Sequence, residues 1–135
     1  MLLFDRSGAD WPTRHGTPVT SATELQQVLH RLSEGPPRIF DLVSPDGITL
    51  QFGVGGNFAF AQFSKPSVDR PSTRSAWVAR AERPRTRTHI EFATADIPTP
   101  IPPEYCLSVE ELILVAEFFL TTQARHPAVA WEKLY

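Results

Sequence analysis

ITLQFGVGGNFAFAQF, residues 48 to 63, sets a glycine cluster between two runs of alternating large apolar residues. Such a cluster is either a phosphate-binding loop or a hairpin turn, and the choice decides the fold. A phosphate loop needs its glycines to run into a helix whose free N–H groups face the anion, usually with a Lys-Ser/Thr pair. Here they run into Asn57-Phe58-Ala59-Phe60, which is aromatic and strand-like. Before them, Ile48, Leu50, Phe52 and Val54 fall on one side of a period-two pattern, and Thr49, Gln51 and Gly53 on the other. Gly-Gly and Gly-Asn populate the left-handed conformations of tight turns, so Gly55-Gly56-Asn57 predicts a β-hairpin whose apolar pattern resumes with Phe58, Phe60 and Phe63.

The flanking segments extend this hairpin into a meander. Ile39, Phe40, Leu42 and Val43 supply a strand on its N-terminal side, and Ser44-Pro45-Asp46-Gly47 has turn chemistry. On the other side, the proline-rich polar stretch from Lys65 to Arg74 predicts a long exposed loop. SAWVAR (75–80) and TRTHIEF (86–92) predict two more strands joined around Arg83-Pro84, and IPTPIPPEY (97–105) a proline-stiffened connection.

Two helices frame these strands. Ser21 and Glu24 have capping-box spacing, Leu25, Val28, Leu29 and Leu32 repeat at helical period, and Gly35-Pro36-Pro37 stops the run. His30 falls among its polar positions. The second helix is stronger: Ser108 and Glu111 form another capping-box pair, and Leu107 can staple onto Leu112. Val109, Leu112, Ile113, Ala116, Phe119 and Leu120 make its core stripe, while Glu110, Glu111 and Glu117 belong at or near the water side. After Pro127, AVAWEKLY predicts a final strand carrying Trp131, which with Trp77 is expected in the core. The expected fold is α+β, a mostly antiparallel sheet with two main helices packed on it. It forms one domain over 1–135, of which 1–20 are an N-terminal extension, partly irregular.

A chain of 135 residues is long enough to bury about two-thirds of its unfolded surface. One cysteine excludes an internal disulfide framework and suits a reducing cytoplasm; MLLFDRSGADW lacks a basic flank, and no apolar run reaches membrane-spanning length. Net charge is only −2, but residues 65–90 hold seven basic and two acidic side chains, whereas residues 91–135 hold two and seven. Such asymmetry is either a solvated surface or the mark of a charged partner.

No reaction motif accompanies these elements. Cys106 lies just ahead of a helix N-terminus, where a thiol pKa can fall, but no histidine stands near it in sequence. His15, His30, His89 and His126 stand singly, without metal-ligand spacing. Trp77 amid arginines has the ingredients of a base-stacking platform, yet the basic stretch is balanced by acid elsewhere, which argues against a dedicated nucleic-acid binder. No catalytic residue, metal site or cofactor is expected.

The succession of a capped helix, a G-x-G-G hairpin with aromatic flanks, an Ile101-Pro102 segment, the helix S-V-E-E-L…A…F-F-L-T-T and the terminal Pro127-x-x-x-Trp131-Glu132 resembles the Imm1 immunity proteins of bacterial polymorphic-toxin systems. The resemblance runs from about residue 21 to the end, and its specific positions are Ile101-Pro102, Glu110-Glu111, Ala116, Phe119 and Pro127 through Glu132. Family members often carry a glycine after the threonine following this helix, where Thr122-Gln123 stands here. The resemblance implies a small cytoplasmic α+β protein without catalytic activity that protects its producer by binding the enzymatic domain of a cognate toxin. Toxins of such systems often act on nucleic acid, as nucleases or deaminases, with electropositive clefts. An acidic surface would complement such a cleft, so Asp96, Glu104, Glu110, Glu111, Glu117 and Glu132 are the candidate contacts, with no direct nucleic-acid or membrane contact. The alternative is a non-enzymatic interaction or regulatory domain unrelated to toxins.

Overall fold

The computed structural model describes residues 1–6, 16–70, 72–94 and 97–135. Its elements run β1 (Leu2–Asp5), β2 (Thr17–Pro18), α1 (Ala22–Ser33), β3 (Arg38–Val43), β4 (Thr49–Gly55), β5 (Phe58–Pro66), β6 (Arg74–Arg80), β7 (Ile90–Thr94), β8 (Ile97–Ile101), α2 (Val109–Thr122) and β9 (Ala130–Lys133). A 3-10 turn, Pro103–Tyr105, precedes α2. The strands form one sheet in the order β2-β1-β3-β4-β5-β6-β9, with every neighbour antiparallel along that path. The β7–β8 hairpin joins β3 through one parallel bridge, Arg38 to Ala93. This is the expected α+β architecture, with β3 through β6 as its meander.

The glycine cluster is the β4–β5 turn. Gly55 pairs with Phe58, leaving Gly56 and Asn57 at φ 57° and 66°, the two positive values of a type I′ turn. Their N–H groups donate to the carbonyls of Gly35 (3.0 Å) and Ser33 (3.4 Å), where α1 ends. The donors that a phosphate loop would aim at an anion instead satisfy carbonyls that a helix terminus leaves without partners. A Cβ at Gly55, itself at φ 149°, would sit 2.4 Å from the Pro36 backbone, so only glycine lets the turn close on the Pro36-Pro37 segment.

Both helices lie on one face of the sheet. Leu25 and Leu29 of α1 and Leu112, Val115, Ala116 and Phe119 of α2 are buried against Phe40, Leu42, Leu50, Phe52, Val54 and Phe63. Fully burying one large apolar side chain stabilises by about 1.5–3 kcal/mol relative to leaving it in water. The start of α2 is fixed twice. Ser108 Oγ accepts from the Glu111 N–H (3.0 Å) and Glu111 Oε1 from the Ser108 N–H (2.9 Å), while Leu107 and Ala59 exchange backbone bonds of 2.7 and 3.1 Å. Leu107 and Leu112, at staple spacing, are both fully buried. At α1 the box is half made. Ser21 Oγ accepts from the Glu24 N–H (3.1 Å), but the Glu24 carboxylate takes the N–H and hydroxyl of Thr20 (3.4 and 3.2 Å).

The opposite face buries a smaller cluster, Ile39, Phe60 and Phe92. Phe92 comes from β7 and meets Phe60 edge to face at 5.1 Å. A Cβ at Gly53 would lie 2.3 Å from the Phe60 ring and 2.6 Å from Phe92, so this strand position is glycine for want of space.

Four sequence expectations change. Phe58 and Phe60 pair with Gly55 and Gly53 on the outer face while Phe63 pairs with Leu50 on the helix face, because an odd spacing switches sides. Strand β5 continues through Pro66, and the Ser67 N–H donates to Thr73 O (2.9 Å), so the loop is shorter than Lys65 to Arg74. The strand expected over 86–92 begins only at Ile90. Residues 97–101 form an edge strand despite Pro98 and Pro100, since only one side of an edge is paired and a missing N–H is tolerated there. Within the N-terminal extension, β1 and β2 join the sheet.

Candidate partner-binding surfaces

The structure separates the acidic candidates into two groups. Three lie on α2: Glu110 is exposed in its first turn, Glu111 is engaged in the capping box, and Glu117 is contacted by the Gln26 amide of α1. Glu110, Leu114, Glu117 and Thr121 share one helical face, and Leu114 is 55% exposed. This makes a ridge with an apolar centre and a carboxylate on either side.

The second group sits on the outer face at the far end of the sheet. Glu132 of β9 accepts from the Tyr105 hydroxyl and pairs with Arg80 at 3.4 Å, and the Arg80 guanidinium lies 5.8 Å from the Tyr105 ring. The hydrogen bond to Glu132 raises the Tyr105 pKa above its ordinary value of 10.0. Glu104, half-buried in the same turn, holds β6 through its carbonyl, which accepts from the Ala81 N–H at 2.8 Å. Asp96 lies outside the described residues, as does His15.

The nucleophile reading of Cys106 fails on geometry. Its thiol is fully buried and hydrogen-bonds to the carbonyls of Pro102 (3.5 Å) and Ile101 (3.7 Å), and burial pushes its pKa up rather than down. His30 is exposed, His89 lies 3.6 Å from Glu91, and His126 Nδ1 accepts from the Ala128 N–H at 3.1 Å. Among the described residues, no group of three His, Cys, Asp or Glu side chains is placed to hold a metal ion. Nor is any helix long and apolar enough to cross a membrane.

A basic patch forms around the two tryptophans that the sequence assigns to the core. Trp77 and Trp131 are half-buried rather than enclosed, standing at the edge of the helix-side core beyond the end of α2. Trp131 Nε1 donates to His126 O at 3.1 Å, and both indoles approach Phe63, with centroids 5.8 and 6.5 Å away. Arg125 lies over the Trp77 ring at 4.1 Å, with the Lys65 and Lys133 ammonium groups 5.7 and 5.8 Å from the same centroid. Beside them opens a groove of about 430 Å³ walled by Ile48, Phe63, Lys65, Arg125, Val129 and Trp131. One local signal was present in the sequence: Trp131 and Lys133, two apart on a strand, must share a face. Their meeting with Trp77 requires β9 to return beside β6 after α2, which no local pattern states.

These surfaces belong to a small α+β protein with two helices on one face of a mostly antiparallel sheet. The family described as immunity protein Imm1 matches residues 13–133, and the chain belongs to that family. No curated protein matches it.

Proposed function

We propose that this protein binds and occludes the enzymatic domain of a cognate bacterial toxin in the cytoplasm of the producing cell, without catalysis of its own. The toxin acts on nucleic acid, as a nuclease or deaminase. Family membership across residues 13–133 is the observation that carries the reading. The α2 ridge is the contact proposed for the toxin's electropositive cleft. Leu114 offers an exposed apolar contact at the centre of the ridge, and Glu110 and Glu117 lie beside it to steer a basic partner. Glu104, in the outer-face group, and Asp96 are further candidate acidic contacts, whereas Glu111 and Glu132 act indirectly, through the α2 cap and the Tyr105–Arg80 contact.

The test uses the toxin domain encoded beside this gene, assayed on DNA and RNA with and without the immunity protein. Stoichiometric protein is expected to abolish activity. Glu110→Lys with Glu117→Lys is expected to slow association about tenfold at low salt and to flatten its salt dependence. Full toxin activity at saturating immunity protein would sink the reading and favour a regulatory domain unrelated to toxins.

A further inference from the structure

We infer that the basic, aromatic-walled groove beyond α2 is a second contact on the same toxin partner and takes an acidic segment of that domain. This rests on the reading of the partner as a toxin protein. Lys65, Arg125 and Lys133 each lie within 5.8 Å of the Trp77 centroid, and none has an ion pair among the described residues. Three other cations are met inside the chain: Arg6 by Asp41, Arg38 by Asp5 and Arg80 by Glu132. Like charges gathered on one ring repel, and the indole face offsets only part of that repulsion. The carboxylate nearest in sequence, Glu132, points through the sheet to the other face, because it lies between Trp131 and Lys133 on β9. A carboxylate supplied from outside would complete the arrangement with charge-assisted hydrogen bonds.

A second depression, of about 420 Å³, meets the first at Lys65 and is lined by Arg70 and by one carboxylate, Asp69, so the combined groove is long enough for a peptide rather than a lone ion. Two observations favour an acidic protein segment over nucleic acid. The Trp77 face that a base would need is already covered by Arg125 at 4.1 Å, and the chain as a whole carries a net charge of −2, which repels an extended polyanion.

The test compares the wild type with Lys65→Gln/Arg125→Gln/Lys133→Gln in calorimetric titrations against the neighbouring toxin domain. A Kd weakened roughly a hundredfold, with an unchanged circular dichroism spectrum, supports the groove. If the triple variant fails to fold, Lys65→Gln/Lys133→Gln is measured in its place, with roughly tenfold weakening expected. Unchanged affinity in a folded variant overturns the groove and leaves the proposed function standing. If the wild type itself does not bind the toxin domain, that function fails. The groove is then judged by the NMR shifts of the Trp77 and Trp131 indole N–H signals on adding a peptide of alternating aspartate and glutamate. Shifts absent with the asparagine–glutamine counterpart support an acidic ligand, and no shift overturns it. Tighter binding of an oligothymidylate than of the acidic peptide also overturns it, in favour of nucleic acid.

Discussion

Strand β9 carries opposite chemistry on its two faces. Outward, Glu132 closes on Tyr105 and Arg80, so its charge is met inside the chain. Toward the helices, Lys133 joins Lys65 and Arg125 around Trp77, none of them ion-paired among the described residues. A count along the sequence makes this region acidic; the alternation of a strand delivers its acid to one side and its base to the other. The packing differs as well. The helix face holds a continuous core under both helices, whereas the outer face buries Ile39, Phe60 and Phe92 beneath a hairpin tied to the sheet by one bridge.

The largest expected effect tests that packing difference. Phe119 and Phe92 are both fully buried. Phe119→Ala is expected to cost about 3–5 kcal/mol, because α2 is held at its start and cannot collapse into the cavity. Phe92→Ala is expected to fall at or below the low end of that range, since the β7–β8 hairpin can shift. Urea melts of the two variants measure the gap, and equal losses would show the two layers to be equally fixed.

Next, Trp131→Ala and Glu132→Gln compare adjacent residues on opposite faces. Half-buried Trp131 packs on Phe63 and ties down His126, so its loss is expected to cost about 2–3 kcal/mol. Glu132→Gln exchanges a partly exposed charged partner for a neutral one and is expected to cost under about 1 kcal/mol. If Trp131→Ala instead melted like the wild type, its indole would be free to serve a partner.

Within the helix layer, Ser108→Ala breaks a reciprocal cap and Ser21→Ala half of one. Both are expected within about 0.5–2 kcal/mol, with Ser108 the costlier. The smallest effect has the opposite sign. Gln123 closes α2 at φ 57° and ψ 31°, the left-handed cap that favours glycine, and its N–H donates to Phe119 O at 2.7 Å. Gln123→Gly is expected to raise stability by up to about 1 kcal/mol, the relief of strain being partly offset by a more flexible unfolded chain. A lower melting temperature would mean that the glutamine side chain contributes more than its backbone strain takes away.

These cases also mark what the sequence made legible. The hairpin, the meander, both helices and the family could be read because each has a local signature: a turn pair, a period, a cap or a motif. The strand nature of Ile97–Ile101 was hidden because two prolines mimic a loop unless the edge position is known. The switch at Phe63 was hidden because three phenylalanines look alike whichever face they take. Of the acidic candidates, sequence identified the helix-capping role of Glu111, but not the Tyr105 contact of Glu132 or the gathering of cations on Trp77. Both depend on pairings far apart in the chain.

The pair of backbone hydrogen bonds between Ala59 and Leu107 bears on how such a surface associates. It ties the start of α2 to β5, as the Gly56-Asn57 turn ties the end of α1 to the β4–β5 hairpin. Helices held at these points have little freedom left to lose when covered, so the entropy given up on docking comes mainly from overall tumbling and a few long side chains such as Glu110 and Lys133. The expected encounter is that of a nearly rigid body, with an on-rate set by charge and orientation and a residence time set by how well the partner's shape was matched beforehand.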